Sequence, residues 1–125
     1  MPITNIYFER IEASRKRKIK AKIKANASLT FKDVEESAEL DNKKVLLFPF
    51  EFSLSYEEEA KINLAGYVVY IEDKKKAEKL KKDWRKNKEF MKQLYNYALL
   101  KCNLKALLLE DQLGLPLHLP MPRIK

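Results

Sequence analysis

Few residues in this 125-residue chain have the type and spacing that chemistry needs. The single thiol, Cys102, lies in a leucine-rich helical pattern, where a small buried side chain is expected rather than a nucleophile. The single imidazole, His118, has no obvious carboxylate or nucleophile partner and sits in a leucine–proline tail, which argues against a general base. One cysteine and one histidine cannot build a protein-only zinc site or an intrachain disulfide. Glu57-Glu58-Glu59 reads as a solvated turn rather than an acid–base pair. Gly66 and Gly114 are the only glycines, so no glycine-rich phosphate loop can form. The expectation is a protein that is not an enzyme and needs no cofactor or metal.

Two other stretches carry binding chemistry. The first is basic: Arg15, Lys16, Arg17, Lys18, Lys20, Lys22 and Lys24. Residues 1–31 hold eight basic and two acidic side chains, a net +6 within a chain of formal charge +8. Arg15, Arg17, Lys18, Lys20, Lys22 and Lys24 could meet phosphates. A single-strand binder, however, interleaves aromatics with its basic groups. The face that Lys20, Lys22 and Lys24 share has none, so a solvated lysine face is favoured over nucleic acid. The second stretch is the end of the chain. Leu115, Leu117 and Leu119 alternate around Pro116 and His118, with Pro120 and Pro122 following. Proline cannot continue a helix, so the leucines lie along an extended, polyproline-like tail with one apolar row. Either the protein's own core or a bound client must accept that row.

The elements that position these residues follow from periodicity. Residues 19–31 alternate apolar and polar without an error, which predicts a strand with one wet face. Ile3, Ile6, Phe8 and Ile11 suggest a shorter, less regular strand before it, and Asp41-Asn42 signals a turn. Leu46, Phe48, Phe50, Phe52, Leu54 and Tyr56 share one face of a second clean strand, and Pro49 predicts a bulge or an edge there. Ile62, Leu64, Tyr67, Val69 and Ile71 form a third, whose apolar phase switches near Gly66 and so predicts a bulge or bend. From Asp73 the period becomes helical, with Ala77, Leu80 and Trp84 and then a wide apolar arc from Phe90 to Leu109. One long helix, or two joined near Arg85-Lys86-Asn87, would fit. The predicted organisation is one α+β domain: a four-stranded antiparallel sheet over residues 1–72, helices over 73–113 packed on one face, and the tail over 114–125.

This order of parts resembles the SecB family of export chaperones. The likeness is carried by the long strands Lys18–Phe31, Val45–Tyr56 and Ala60–Ile71, then helices, and by the ending, where the helix Phe90–Leu113 gives way to Gly114-Leu115-Pro116-Leu117-His118-Leu119-Pro120. The resemblance implies a sheet with two helices on one face, assembled as a dimer of dimers. It implies an ATP-independent holdase that binds unfolded or precursor polypeptides along apolar grooves, for export or, as in some SecB-like proteins, to protect an antitoxin. The candidate client-binding residues are Phe48, Phe50, Phe52, Leu115, Leu117 and Leu119. Bacterial SecB proteins are acidic and engage a motor through an acidic sheet surface; this chain is basic, so that partner is not carried over. With no signal-peptide pattern and no apolar run of spanning length, a cytoplasmic protein without membrane insertion is expected.

Overall fold

The computed structural model describes residues 3–18 and 23–118. Among them, five strands precede two helices: β1 (Ile3–Arg15), β2 (Ala25–Phe31), β3 (Glu35–Leu40), β4 (Lys43–Tyr56), β5 (Ala60–Asp73), α1 (Lys74–Asp83) and α2 (Lys88–Leu113). The strands form one open antiparallel sheet. β5 lies between β1 and β4, while β2 and β3 both pair with the far edge of β4, β2 beside Phe50–Tyr56 and β3 beside Lys43–Leu47. The α+β architecture is the expected one, with five strands where four were predicted. No helix among the described residues is long and apolar enough to cross a membrane.

β4 and β5 supply the floor of the core. Every even position from Leu46 to Tyr56 is buried, and so are Ala60, Ile62, Leu64, Val68 and Tyr70. The expected phase switch at Gly66 does not occur. β5 keeps its even row inward and pairs with β4 without a register shift from Ala60 to Asp73. Tyr67, Val69 and Ile71 instead lie on the sheet's other face, half-buried. The irregularity is in β1, whose register slips between Phe8 and Arg10, opposite Gly66 and Ala65. An inserted residue of this kind bends its own strand. Here it brings the Tyr7–Phe8 backbone over Gly66, where only a residue without a side chain leaves room.

β4 is not bulged at Pro49, which pairs with Tyr67 of β5 on one side; on its other side it falls in the gap between β2 and β3, a local edge of the kind expected. The Lys32 N–H donates to the Pro49 carbonyl at 2.9 Å, so Pro49 turns its polar groups toward that side, where its nitrogen has no hydrogen to give. At this point the edge splits into β2 and β3, with Lys32–Val34 between them. β2 is therefore shorter than the predicted Lys18–Phe31 strand; residues 19–22 lie outside the described residues.

β3 was not expected, because Glu35-Glu36-Ser37-Ala38-Glu39 has no apolar alternation. Ion pairs hold it instead. Glu36 meets Lys44 at 2.8 Å and also Lys81, Lys44 meets Glu78, and Glu39 meets Lys74 at 3.0 Å. Lys44 is buried on the inner face, so Glu36 and Glu78 clamp its ammonium from β3 and from α1. Hydrogen bonds from Lys44 first and Lys81 second hold the Glu36 carboxyl down to about 2. A carboxyl lowered on folding stabilises fully above its ordinary value of 4.5, and that contribution is lost as pH falls through about 2. Urea midpoints should therefore drop between pH 5 and pH 2, and Glu36→Gln should flatten that part of the slope. An unchanged acid slope in the variant would remove Glu36 as the source.

The helices cover the inner face, α1 on β4 and β5, and α2 on β5 and β1. They separate at Arg85-Lys86-Asn87, one of the two predicted outcomes. Asn87 starts α2: its side-chain oxygen accepts from the Phe90 N–H at 3.1 Å. Ala77, Leu80 and Trp84 face inward from α1 and its C-terminal end. On α2 the buried positions recur every four residues: Phe90, Leu94, Ala98, Cys102, Ala106 and Glu110. Four residues slightly exceed one 3.6-residue turn, so this contact line winds slowly around the helix as it crosses the sheet.

Candidate functional site

Phe48, Phe50 and Phe52 cannot form an open groove, because all three are buried in the core. The Phe48 ring meets Trp84 and Phe90, each at 5.2 Å between centroids. Phe50 meets Phe8 edge-on at 5.9 Å. Their row is the inner face that the helices cover, and one apolar row cannot serve both core and client. Leu115 is buried in the same core, Leu117 is exposed, and Leu119 lies outside the described residues. The tail thus divides its leucines, with the first spent on the protein's own interior.

The open apolar surface is on α2. Leu100, Leu104 and Leu108 are 57, 55 and 52 % exposed, and Tyr95 is 40 % exposed. Leu100, Leu104 and Leu108 follow one another at four-residue spacing on the side opposite Cys102. Lysine stems border the row: Lys101 lies 5.7 Å from the Tyr97 ring centre and Lys105 5.8 Å from that of Phe8. Between the Phe8 and Arg15 contacts of β1 with α2, Ile11 is also exposed. The sequence showed an apolar arc wider than one stripe; which leucines face outward depends on how the helix docks, and periodicity does not contain that.

The tail is fastened by a buried polar network. Gly114, at φ +65°, ends α2 in the left-handed conformation. Its N–H donates to the Asp111 carbonyl at 3.2 Å, and that of Leu115 to the Glu110 carbonyl at 2.8 Å, a pairing that reverses the chain. Arg15 of β1 supports the turn, donating to the Leu113 carbonyl at 2.7 Å. The tail then folds back along α2. The fully buried Glu110 carboxylate accepts from the Tyr56 hydroxyl and from the His118 backbone N–H, the latter at 2.9 Å. Its other oxygen lies 2.8 Å from His118 Nδ1. The second ring nitrogen of His118 faces Asn103 Oδ1 at 2.9 Å. His118 therefore has the carboxylate partner its sequence surroundings did not reveal. A glutamate so near the end of a leucine-rich helix reads as solvent-facing; the Gly114 reversal is what encloses it.

The other singled-out groups take structural places. Burial pushes the Cys102 thiol up to about 12, which leaves almost no thiolate to react. Arg15 is committed to the end of α2, so the first member of the predicted phosphate-binding set is already engaged. Arg17, Lys18 and Lys24 are exposed, and Lys20 and Lys22 lie outside the described residues. Glu57, Glu58 and Glu59 form the β4–β5 turn, with Glu57 at φ +53°. No protein-family model matches the chain, and no curated protein matches it in sequence.

Proposed function

We propose that this chain is an ATP-independent holdase of the SecB-like kind, which binds unfolded or precursor polypeptides and works as a homo-oligomer, a dimer of dimers. One observation carries the reading: the outward row Leu100, Leu104 and Leu108 on α2. Such a row forfeits roughly 25 cal/mol for each Å² of apolar surface left in water, so it favours any apolar chain that covers it. Leucine side chains have no hydrogen bonds to satisfy and so impose little sequence preference, which suits a binder of many extended clients. Holding those chains opposes their collapse and aggregation. The SecB-like order of sheet, two helices and reversed apolar tail agrees with this reading. For assembly, the thirteen-residue strand β1 has no strand partner on its outer side among the described residues, which invites pairing with a second copy.

Stoichiometric protein should suppress aggregation of a denatured client without ATP. The variant L100Q/L104Q/L108Q, altered only at exposed positions, should keep its native circular dichroism and lose most of the suppression. Absence of suppression by the unaltered protein would sink the holdase reading, and full suppression by the variant would remove α2 as the client surface. Light scattering at micromolar concentration should give a mass near four chains; a stable monomer would defeat the assembly.

A further inference from the structure

Besides the basic stretch Arg15–Lys24, a second concentration of positive charge lies on α1 and the turn after it. From Lys74 to Lys88 there are nine basic and two acidic side chains, +7 over fifteen residues. Three of the nine are engaged: Lys74 with Glu39, Lys81 with Glu36, and Arg85 with Asp33. Of the two acids, Glu78 is turned to the buried Lys44. Lys75, Lys79, Lys82 and Lys86 are all exposed, and none pairs with a carboxylate among the described residues. They recur at spacings of four, three and four, so they line one side of the helix and its end. At 1.5 Å per residue Lys75, Lys79 and Lys82 span about 10 Å of α1, with a charge every ~5–6 Å, and Lys86 follows in the turn beyond it. Like charges at this spacing repel one another in the free protein, and a polyanion would relieve them.

The surroundings of the row select the kind of polyanion. A membrane-surface helix needs a free apolar face, and that of α1 is already buried through Ala77, Leu80 and Trp84. Binding of single strands needs exposed aromatics for base stacking, and the nearest rings, Trp84 and Tyr70, are both buried. The row holds no arginine, asparagine or glutamine to read base edges. The groove of about 390 Å³ beside it also contains Asp83, which disfavours a lone phosphate there. What remains complementary is a long, regular line of negative charge. We propose that Lys75, Lys79, Lys82 and Lys86 dock the phosphate backbone of a nucleic-acid duplex without reading its sequence. This surface lies on a different helix from the leucine row, so it stands or falls independently of the holdase reading.

The test is fluorescence anisotropy with a labelled DNA duplex of about two helical turns, titrated with the full chain at several salt concentrations. Four phosphate contacts predict a slope of log K against log salt near −3.6, or about a 150-fold loss of affinity between 50 and 200 mM. Duplexes of unrelated sequence should bind equally. K75Q/K79Q/K82Q/K86Q should bring the slope close to zero, whereas K101Q/K105Q on α2 should leave it unchanged. Salt-independent binding, wild-type affinity in the quadruple variant, or tighter binding to phosphatidylserine vesicles or polyglutamate than to the duplex would each overturn the proposal.

Discussion

Glu110→Gln should destabilise the fold by about 2–3 kcal/mol, although it alters one atom of one side chain. The carboxylate receives the Tyr56 hydroxyl and the His118 backbone N–H, and faces His118 Nδ1. A carboxylate can accept all of these, whereas an amide offers one accepting oxygen and its NH₂ fits only where His118 Nδ1 carries no hydrogen, so the change either sets donor against donor or forces the histidine into one tautomer. Each buried donor left without a partner costs about 1–3 kcal/mol, and Glu110 is fully buried. His118→Ala should cost less, since it leaves the backbone contact in place. The decisive measurement is the double-mutant cycle. If the tail is held through the His118–Glu110 pair, the double variant should cost at least about 1 kcal/mol less than the two single costs added together. Amide exchange at Leu115, whose N–H closes the reversal after Gly114, should quicken in both single variants. Additivity within about 0.5 kcal/mol would show that His118 and Glu110 act separately.

That network shows where a sequence stops being readable. The helix end at Gly114 was legible, because prolines beyond it forbid continuation and glycine accepts the left-handed turn. The enclosure of Glu110 was not, since it depends on a reversed tail and on Tyr56 more than fifty positions away. The same division holds in the sheet. β4 could be read residue by residue, because its even row from Leu46 to Tyr56 is apolar throughout while its odd row turns polar from Glu51 onward. β5 could not, because beyond Gly66 both Val68 and Tyr70 on one face and Tyr67, Val69 and Ile71 on the other are apolar. β3 was invisible because its stabilising partners are distant lysines, Lys44, Lys74 and Lys81, rather than an apolar row of its own.

The candidate site divides in the same way. An apolar surplus on α2 was legible as composition. The choice of Leu100, Leu104 and Leu108 as the outward row, and of Phe48, Phe50 and Phe52 as core, was fixed only when both helices came down on the inner sheet face. Phe48, Phe50 and Phe52 bury their large rings in the core, while Leu100, Leu104 and Leu108 stay outside. The function proposed for this surface, whether client binding or assembly, would therefore use what remains after the core is filled.

Gly66→Ala should be the more damaging of the two largest changes, costing about 3 kcal/mol or more. The position is in the middle of β5 with ordinary extended backbone, where alanine is normally harmless. The obstacle is the neighbour. An added Cβ would fall on the Tyr7 carbonyl oxygen and within 2.9 Å of Phe8 Cα, both backbone atoms that no side-chain rotation can clear. Overpacking in a filled core typically costs about 1–3 kcal/mol, and here the strain falls on a strand pairing as well. The only relief is for β1 to lift, which would break its ladder near Tyr7–Phe8 and pull Phe8 from its contact with Phe50. The expected pattern is specific: a lowered urea midpoint together with faster amide exchange in β1, while the β4–β5 ladder stays protected. Ala65→Ser, one residue away on the opposite face, should change stability by less than about 0.5 kcal/mol. If Gly66→Ala were equally mild, the close crossing of β1 over β5 would be wrong, and with it the register slip between Phe8 and Arg10 that brings Ile11 to the helix side of the sheet.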